Sequence, residues 1–276
     1  MAITVDDEID GEWAISRYMS FAKLMDLLTR KQAFLSSVDA LKYGVNGDHL
    51  EGTYPDIVEI VLSGITDQLD FLVNQAFPRT LGDNKTPMPS PPVREPLKTV
   101  FGDIPITTEK SISSICQDLS RWVDVQCWYN GSNENVAMWK IYGGSDPSFL
   151  VRSTVDKLAK AITASDDTNV RISKVRYYNT NEASDFMIDE ISPFAFKEGA
   201  YEYEKEIRVI AYSPEDKCRI SKERSEVGRY IGINVQELIT DIVVSPNAPN
   251  WFFELAEKLI SERVDAPISR SILSKR

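Results

Sequence analysis

The segment EYEKEIRVIAY, residues 202–212, changes from dense charge to alternating apolar residues. From Ile207 onward every second residue is apolar, a period that predicts a β-strand with one face buried. Alternate residues of a strand point to the same side, so we expect Glu204, Glu206 and Arg208 on one face where this strand begins. Such a row is compatible with three interpretations: a solvated edge, a salt-bridged structural seam or an active site.

The composition is that of an ordinary globular protein. The chain has 276 residues, of which 42% are hydrophobic and 26% are charged, so it is long enough to bury a large core. We expect a single domain over residues 1–276. The formal net charge of −11 opposes binding to a phosphate backbone, so passive binding of nucleic acid is not expected. A small nucleotide held in one local pocket is compatible with this charge.

The cysteines and the histidine limit which catalytic or metal sites are expected and indicate the redox compartment. Cys116, Cys127 and Cys218 are widely spaced and form no CxxC pair, which disfavours a disulfide scaffold and predicts a reducing cytoplasm. No apolar run approaches the roughly 20 residues of a membrane helix, so no membrane insertion is expected. His49 is the single histidine. Catalytic triads, Cys–His dyads and multi-histidine metal sites are therefore disfavoured, and no metal site is predicted.

A strand, a short helix and a second strand are predicted near the start of the chain. Residues around Trp13 and Ile15 predict the first strand, and AFLSS predicts the second. Ser20 is suited to cap the helix, because its hydroxyl can accept a free amide of the first turn. The apolar residues of this helix fall on one face. They are Phe21, Leu24, Met25, Leu27 and Leu28.

The segment 55–100 is predicted to be an insertion within the domain. Residues 55–77 have a helical period that begins at Pro55, a residue suited to the first turn of a helix. Five of the 14 prolines then fall between Pro87 and Pro96. Such a composition is typical of an exposed loop or linker. The insertion is therefore expected to be helical first and Pro-rich afterwards.

The remainder of the chain mixes short strands with short helices. Strands are predicted at 123–129 and 241–246 and in SFLVRST, KVRYYN and EIRVIAY; helices are predicted at 135–143, in VDKLAKAI and at 250–264. The last helix is marked by Trp251, Leu255 and Leu259 at a spacing of four. This order lacks regular βαβ alternation, which favours an α+β fold of compact mixed or antiparallel sheets with surrounding helices.

Four groups of polar or aromatic residues could carry chemistry. They are Arg17 with Tyr18, Asp48 with Glu51, Trp139 with Tyr142, and the row Glu204, Glu206 and Arg208. Each group also has an ordinary interpretation, respectively a solvated arginine, loop carboxylates, helix packing and a surface ion pair worth ~0–1 kcal/mol. The chain has no GxxxxGK[ST] and no GxGxxG motif, which disfavours kinases, P-loop NTPases and Rossmann dehydrogenases.

The order of these groups resembles a bacterial family, domain of unknown function family 2971. The shared pattern runs from the Arg-Tyr strand through a short helix, a Ser-Ser strand and an Asp-x-x-Glu loop. It continues with the MWKIYG helix and the EKEIR strand, and it spans residues 13–264. The family name itself implies no activity.

The same features are also similar to ADP-ribosyltransferase-like domains. Counting from Arg17, leucines stand at +7, +10 and +11, in the register of a motif found in DNA-modifying members, and Glu204-Lys205-Glu206 matches an E-x-E strand. The resemblance implies a split β-sandwich and an enzyme that uses NAD, either for ADP-ribosyl transfer or for NAD glycohydrolysis. It also implies a toxin or phage-defence effector, with a protein partner or target.

The resemblance assigns roles to individual residues. Glu206 would stabilise the oxocarbenium-like ribose as nicotinamide leaves, and Glu204 would orient an acceptor. Arg17 would bind the pyrophosphate or the adenosine ribose through its planar fork. Tyr142 would stack on the nicotinamide. The remaining cofactor-binding candidates are Tyr18 and Trp139.

Two other functions are compatible with the sequence. The first is a non-catalytic interaction or sensor module of a bacterial defence operon, which is favoured by the insertion at 55–100 and by the acidic composition. The second is a hydrolase that uses Glu204 and Glu206 as general acid and base. Carboxylates at i and i+2 lie closer together than a pair that straddles a substrate, which makes this the less favoured of the two.

Overall fold

The computed structural model of the chain describes residues 3–42, 48, 51–55, 59, 96–107, 111–143, 147–163, 165–179 and 189–274. One large sheet and one small sheet are mixed with helices, so the α+β class is confirmed. Most of the predicted insertion at 55–100 lies outside these residues. His49, which precedes the insertion, also lies outside them. Within the described ranges, no helix is long and apolar enough to cross a membrane.

The described strands and helices follow the chain in a mixed order. The strands are β1 (Ile3–Val5), β2 (Ala14–Ser20), β3 (Gln32–Ser37), β4 (Asp124–Asn130), β5 (Ser148–Thr154), β6 (Asn169–Lys174), β7 (Arg176–Tyr178), β8 (Phe196–Glu198), β9 (Glu206–Tyr212), β10 (Gly228–Gly232), β11 (Asp241–Val244) and β12 (Ile268–Arg270). The α-helices are α1 (Phe21–Arg30), α2 (Val38–Lys42), α3 (Ile112–Ser120), α4 (Val136–Tyr142), α5 (Val155–Ala161), α6 (Ser192–Ala195), α7 (Val235–Leu238) and α8 (Asn250–Ser261). Two 3₁₀ helices are Gly199–Glu204 and Pro214–Arg219.

The large sheet contains ten strands and is mainly antiparallel. Eight of them follow the order β1-β6-β9-β4-β2-β5-β11-β12, and β3 joins β10 to β4. Parallel pairing occurs between β1 and β6 and between β11 and β12. The small sheet pairs β7 with β8. The predicted strand KVRYYN is divided between the two sheets. Its first residue ends β6 in the large sheet, and its middle residues form β7 in the small one.

Strand β9 lies between β6 and β4, and the prediction that one of its faces is exposed is wrong. Ile207 and Val209 belong to a hydrophobic core on one side of the sheet, whereas Ile210 belongs to a second core on the other side. The first core packs against α1, α5, α7 and α8, and the second against α3 and α6. Any charge on β9 is therefore placed inside the protein.

The strand–helix–strand unit at the start of the chain forms as predicted. The Ser20 hydroxyl accepts a hydrogen bond from the Lys23 backbone amide at 3.4 Å and caps α1. Leu24, Leu27 and Leu28 are buried on one face of this helix. Helix α1 thus packs against the first core while connecting β2 to β3.

Candidate functional site

The large sheet forks where β2 and β3 meet the same edge of β4. Near the end of β4, Ser16 of β2 pairs with Tyr129; near its beginning, Ser36 of β3 pairs with Val125. Between these contacts, residues 126–128 have no strand partner on that side in the described part of the chain. Strands β2 and β3 are the two arms of this fork. Helix α1 connects them, so the length of the helix limits how far apart they lie. We refer to this gap as the fork.

A glutamine side chain connects β4 to β3 within the fork. Gln126 Nε2 donates a hydrogen bond to the carbonyl oxygen of Phe34 on β3, at 3.2 Å. Gln126 Oε1 accepts a hydrogen bond from Trp128 Nε1 at 2.9 Å. The side-chain amide therefore replaces part of the hydrogen bonding that a neighbouring strand would supply.

A cavity of about 200 Å³ occupies the fork and contains most of the residues predicted from the sequence. We call it the fork cavity. Of the six predicted site residues, Arg17, Tyr18, Tyr142, Glu204 and Glu206 line it. The other lining residues are Ser16, Lys23, Ser36, Leu41, Val125, Gln126, Cys127, Trp128, Tyr129 and Met138. Residues from β2, α1, β3, β4, α4 and β9 thus meet around one space.

Trp139, the sixth predicted residue, lies behind the cavity lining. Its ring packs edge-to-face on Tyr18, with 4.9 Å between the ring centroids, and its Nε1 donates to Glu134 at 3.0 Å. The Tyr18 hydroxyl accepts a hydrogen bond from the Asn135 backbone amide at 2.8 Å. Burial raises the pKa of Tyr18 to about 12. Trp139 therefore holds Tyr18 in place. Of these two residues, Tyr18 borders the cavity and Trp139 does not.

The two predicted glutamates reach the cavity by a route that differs from the expected strand. Strand β9 begins at Glu206, whereas Glu204 ends a 3₁₀ helix. Lys205, between them, has a φ angle of 42°, in the left-handed region that non-glycine residues seldom adopt. The turn at Lys205, and not strand alternation, brings the two side chains to the same cavity.

Glu206 is buried and is bound by two cations, Arg208 and Lys197. Its two carboxylate oxygens accept hydrogen bonds from Arg208 Nε at 2.6 Å and from Arg208 Nη2 at 2.9 Å. Lys197 Nζ lies 3.5 Å from Glu206 Oε2. Burial alone would raise the pKa of Glu206, but Arg208 and Lys197 outweigh it and lower the pKa to about 2. The solvated-edge interpretation is wrong, since Glu206 is 2% exposed and Arg208 is fully buried.

Glu204 connects Lys197 to Tyr142 at the edge of the cavity. One of its oxygens accepts a hydrogen bond from the Tyr142 hydroxyl at 2.5 Å, and the other contacts Lys197 Nζ at 2.6 Å. Tyr142 is 37% exposed, so its ring forms part of the boundary with solvent. Burial of the hydroxyl, together with Glu204, raises the pKa of Tyr142 far above its usual value. Tyr142 is thus a neutral hydrogen-bond donor at neutral pH.

Glu51 completes a buried charge cluster. Asp48 and Glu51 lie outside the helices and strands, as expected of loop carboxylates, but both are buried. Arg208 Nη1 donates hydrogen bonds to Glu51 and to the carbonyl oxygen of Phe194. We define the buried charge cluster as Glu51, Lys197, Glu204, Glu206 and Arg208. Burial raises the pKa of Glu51 although Arg208 and Lys197 act against it, which is expected where three carboxylates share two cations.

Arg17 and Lys23 introduce positive charge on the other side of the cavity. Neither side chain has a carboxylate partner among the described residues. Burial of the Arg17 guanidinium, only partly offset by Cys127, lowers its pKa to about 10. Burial, together with the charge of Arg17, also lowers the pKa of Lys23. Two uncompensated cations beside one cavity attract an anion.

Cys127 lies between these two charged regions. Burial and the negative charge of Glu206 raise the pKa of its thiol well above the usual value, so the thiol stays protonated and can donate to Glu206. A neutral thiol is a poor nucleophile. Cys127 therefore lines the cavity as a small apolar group with one weak donor.

Sequence reasoning missed Glu51 as a partner of Arg208, and it did not identify Lys197 or Cys127 as residues of the site. A sequence signal for Lys197 does exist: a single lysine follows the apolar residues Phe194, Ala195 and Phe196, where a solvated side chain is not expected. The partnership of Glu51 and Arg208 joins positions 157 apart in the chain, and no local pattern reports it.

Comparison of the chain with protein-family models, with curated proteins and with solved structures finds no match to any of them. The resemblances to domain of unknown function family 2971 and to ADP-ribosyltransferase-like domains therefore stay predictions. Within the described residues, no group of three or more His, Cys, Asp or Glu side chains is arranged to hold a metal ion.

Proposed function

We propose that this protein binds NAD in the fork cavity and cleaves its nicotinamide–ribose bond, by ADP-ribosyl transfer or by hydrolysis. One observation carries the proposal: Arg17, Tyr142, Glu204 and Glu206 line a single cavity, although they come from three separate parts of the chain. These are the residues that the sequence pattern assigns to one NAD site. Their convergence supports that assignment independently of the pattern.

The electrostatics of the cavity suit this reaction. When nicotinamide leaves, positive charge develops on the ribose, and a fixed negative group beside it stabilises the transition state more than the ground state. Glu206 has a pKa of about 2 and is ionised at neutral pH. Its two contacts with Arg208 hold the carboxylate in one orientation, so little reorganisation is needed during the reaction.

The opposite charges of the two regions give the ligand a direction. Arg17 and Lys23 suit the pyrophosphate, and the region of Glu204 and Glu206 suits the ribose that becomes positive. A cavity of about 200 Å³ is smaller than the roughly 300–1,000 Å³ that usually encloses a drug-sized ligand. The fork cavity can therefore enclose only part of a dinucleotide, and the adenosine would remain outside it.

The acid–base hydrolase receives less support than NAD cleavage. A carboxyl group with a pKa of about 2 cannot deliver a proton at neutral pH, so Glu206 cannot be the acid. Glu204 and Glu206 also contact the same cation, Lys197. The two carboxyl groups therefore lie side by side on one cation, whereas this mechanism needs them on opposite sides of a substrate.

A binding module without catalysis is the second candidate function. Both oxygens of Glu206 are already bonded by Arg208, and such saturation is also what a purely structural ion pair would show. On this alternative the fork cavity would bind a nucleotide and leave its bonds intact. Binding and turnover must therefore be measured separately.

The test is to incubate the purified protein with NAD and to measure both NAD binding and the release of nicotinamide. We expect turnover by the wild type and a loss of at least about 100-fold in Glu206→Gln, since this variant removes the fixed negative charge. Asp124→Asn is the matched control: Asp124 is equally buried and bonded to Arg224 and Arg229, but it does not line the cavity. Its turnover per folded molecule should be unchanged.

Each other outcome has a definite meaning. NAD binding without nicotinamide release would favour the binding module. Neither binding nor release would contradict the proposal. An equal loss of activity in Glu206→Gln and Asp124→Asn would show that Glu206 acts only through stability.

A further inference from the structure

One hydroxyl group in the fork cavity lacks the hydrogen bond that buried polar groups normally make. Ser16 is 1% exposed and lines the cavity, yet its Oγ has no hydrogen-bond partner among the described residues. Buried polar side chains are bonded in the great majority of cases, because an unsatisfied hydroxyl loses its hydration without compensation. An unpaired hydroxyl on a cavity wall therefore indicates a group that enters the cavity.

A second unpaired donor lies beside the first. Ser16 is paired across the strands with Arg152, so the two side chains point to the same face of the sheet. Arg152 Nη1 donates to Asp241 at 3.0 Å, but its buried Nε has no partner among the described residues. Arg152 does not line the fork cavity, so of these two unsatisfied donors it is the Ser16 hydroxyl that a group inside the cavity can reach.

The charges around the cavity restrict the kind of acceptor. Ser16 pairs with Tyr129, and Tyr129 pairs with Glu206 on the next strand, so Ser16 lies on the same side of the cavity as Glu206. Glu206 is ionised at neutral pH and disfavours an anionic group on this side. The uncompensated cations, Arg17 and Lys23, attract the anionic part of a ligand elsewhere in the cavity. The acceptor at Ser16 is therefore an uncharged oxygen.

We propose that Ser16 is a ligand-binding residue whose hydroxyl donates a hydrogen bond to an uncharged carbonyl or hydroxyl oxygen of the molecule bound in the fork cavity. This inference rests on the proposed function only for the identity of that molecule. In NAD, such an oxygen is offered by the carboxamide or by a ribose hydroxyl. Nicotinamide and ADP-ribose each carry one of these two sources, and they serve as separate probes.

The test compares Ser16→Ala with the wild type in thermal unfolding and in calorimetric titration with nicotinamide, with ADP-ribose and with NAD. We expect the affinity for at least one probe to fall roughly two- to tenfold, the loss that one neutral hydrogen bond produces. The unfolding temperature without ligand should be unchanged or higher, because the variant removes a group that is unsatisfied in the free protein. Ser16→Thr keeps the hydroxyl and should keep the affinity.

Ser153→Ala is the matched control on the neighbouring strand. Ser153 is buried like Ser16, but its Oγ donates to the carbonyl oxygen of Leu238 at 2.6 Å. Its replacement should lower the unfolding temperature and leave the affinity unchanged. The two serines are thus expected to show opposite patterns.

Three results would overturn the inference. Unchanged affinity of Ser16→Ala for every probe that the wild type binds would assign the hydroxyl to water. A lowered unfolding temperature of free Ser16→Ala would show that the hydroxyl is already satisfied. A wild type that binds none of the probes would remove both this inference and the proposed function. Binding that depends on Ser16 without nicotinamide release would sustain this inference and contradict NAD cleavage alone.

Discussion

Arg208 shows how one side chain can be essential to a buried site without contacting a ligand. It is fully buried and bonds Glu206, Glu51 and the carbonyl oxygen of Phe194. Removing charges from water is costly, and the loss is offset only when every charge is paired and hydrogen-bonded. The buried charge cluster meets that condition as a unit, so its members depend on one another.

We expect Arg208→Met to lower the free energy of unfolding by about 3–5 kcal/mol, because it leaves buried carboxylates without their cation. Urea denaturation at neutral pH measures this change. Arg30→Ala is the control, since Arg30 pairs with Asp26 at the surface of α1 and should leave the midpoint almost unchanged. Equal effects of the two substitutions would contradict the assignment of a structural role to Arg208.

The sequence indicated which residues share one cavity better than it indicated the contacts between them. Arg17, Tyr142, Glu204 and Glu206 all border the fork cavity, as the order of motifs implied. The long-range ion pairs of the cluster could not be predicted, because charged residues on distant segments have many alternative partners. Burial selects among those partners, and burial depends on the complete fold.

Helix α8 illustrates a limit at the scale of a single element. Trp251, Leu255 and Leu259 mark a stripe with a spacing of four, but Trp251 and Leu255 are exposed. The buried residues are one position further along, at Phe252, Ala256 and Ile260. Two adjacent apolar stripes run along this helix, and periodicity alone cannot choose between them. The choice is made by the core against which the helix packs.

We expect Ile260→Ala to cost about 2–5 kcal/mol of unfolding free energy, because Ile260 is fully buried and its truncation leaves a cavity. Leu255→Ala, on the exposed stripe of the same helix, should change stability by no more than about 0.5 kcal/mol. Urea denaturation of both variants provides the measurement. A larger effect at Leu255 would mean that the helix is rotated relative to this description.

The elements around the site were predictable to different degrees. The Ser20 cap, the apolar face of α1 and the strand pattern of β9 are local signals, and the elements formed where these signals predicted them. The turn at Lys205 carries no such signal, since a lysine with a positive φ angle is not anticipated from sequence. Glu204 therefore lines the same cavity as Glu206, but it lies at the end of a 3₁₀ helix and not on the strand where it was predicted.

At the scale of the whole molecule, the acid stability of the protein depends on the buried charge cluster. Glu206 has a folded-state pKa of about 2 against an ordinary value of 4.5. Above pH 4.5 the group is ionised in both states, and its contacts stabilise the fold in full. As the pH falls from 4.5 towards 2, the unfolded chain takes up a proton that the folded chain does not bind, so this stability is lost.

We therefore expect the difference in unfolding free energy between the wild type and Glu206→Gln to be largest near neutral pH and to shrink between pH 4.5 and 2. Urea titrations at a series of pH values measure it. Asp124→Asn is a useful comparison because burial raises the pKa of Asp124 although Arg229 and Arg224 act against it. A constant difference for Glu206→Gln across this range would contradict the lowered pKa.

The α+β class could be predicted from the mixed order of strands and helices, but the topology of the sheet could not. Strands β2 and β3 share one edge of β4, which lies about a hundred residues further along the chain. Pairing over such a separation is decided by tertiary packing, and no short motif encodes it. The fork, on which the candidate site depends, is thus a property of the complete fold.

The fork also offers a practical route to the natural ligand. A molecule in the cavity would contact β2, β4, β9 and α1 together, so it would have to dissociate before the sheet could unfold. Any compound that binds only the folded chain stabilises it, by an amount that rises with the logarithm of the ligand concentration above Kd and reaches about 2.7 kcal/mol at 100 times Kd. A thermal-shift screen of metabolites can therefore identify the ligand without an assay for turnover.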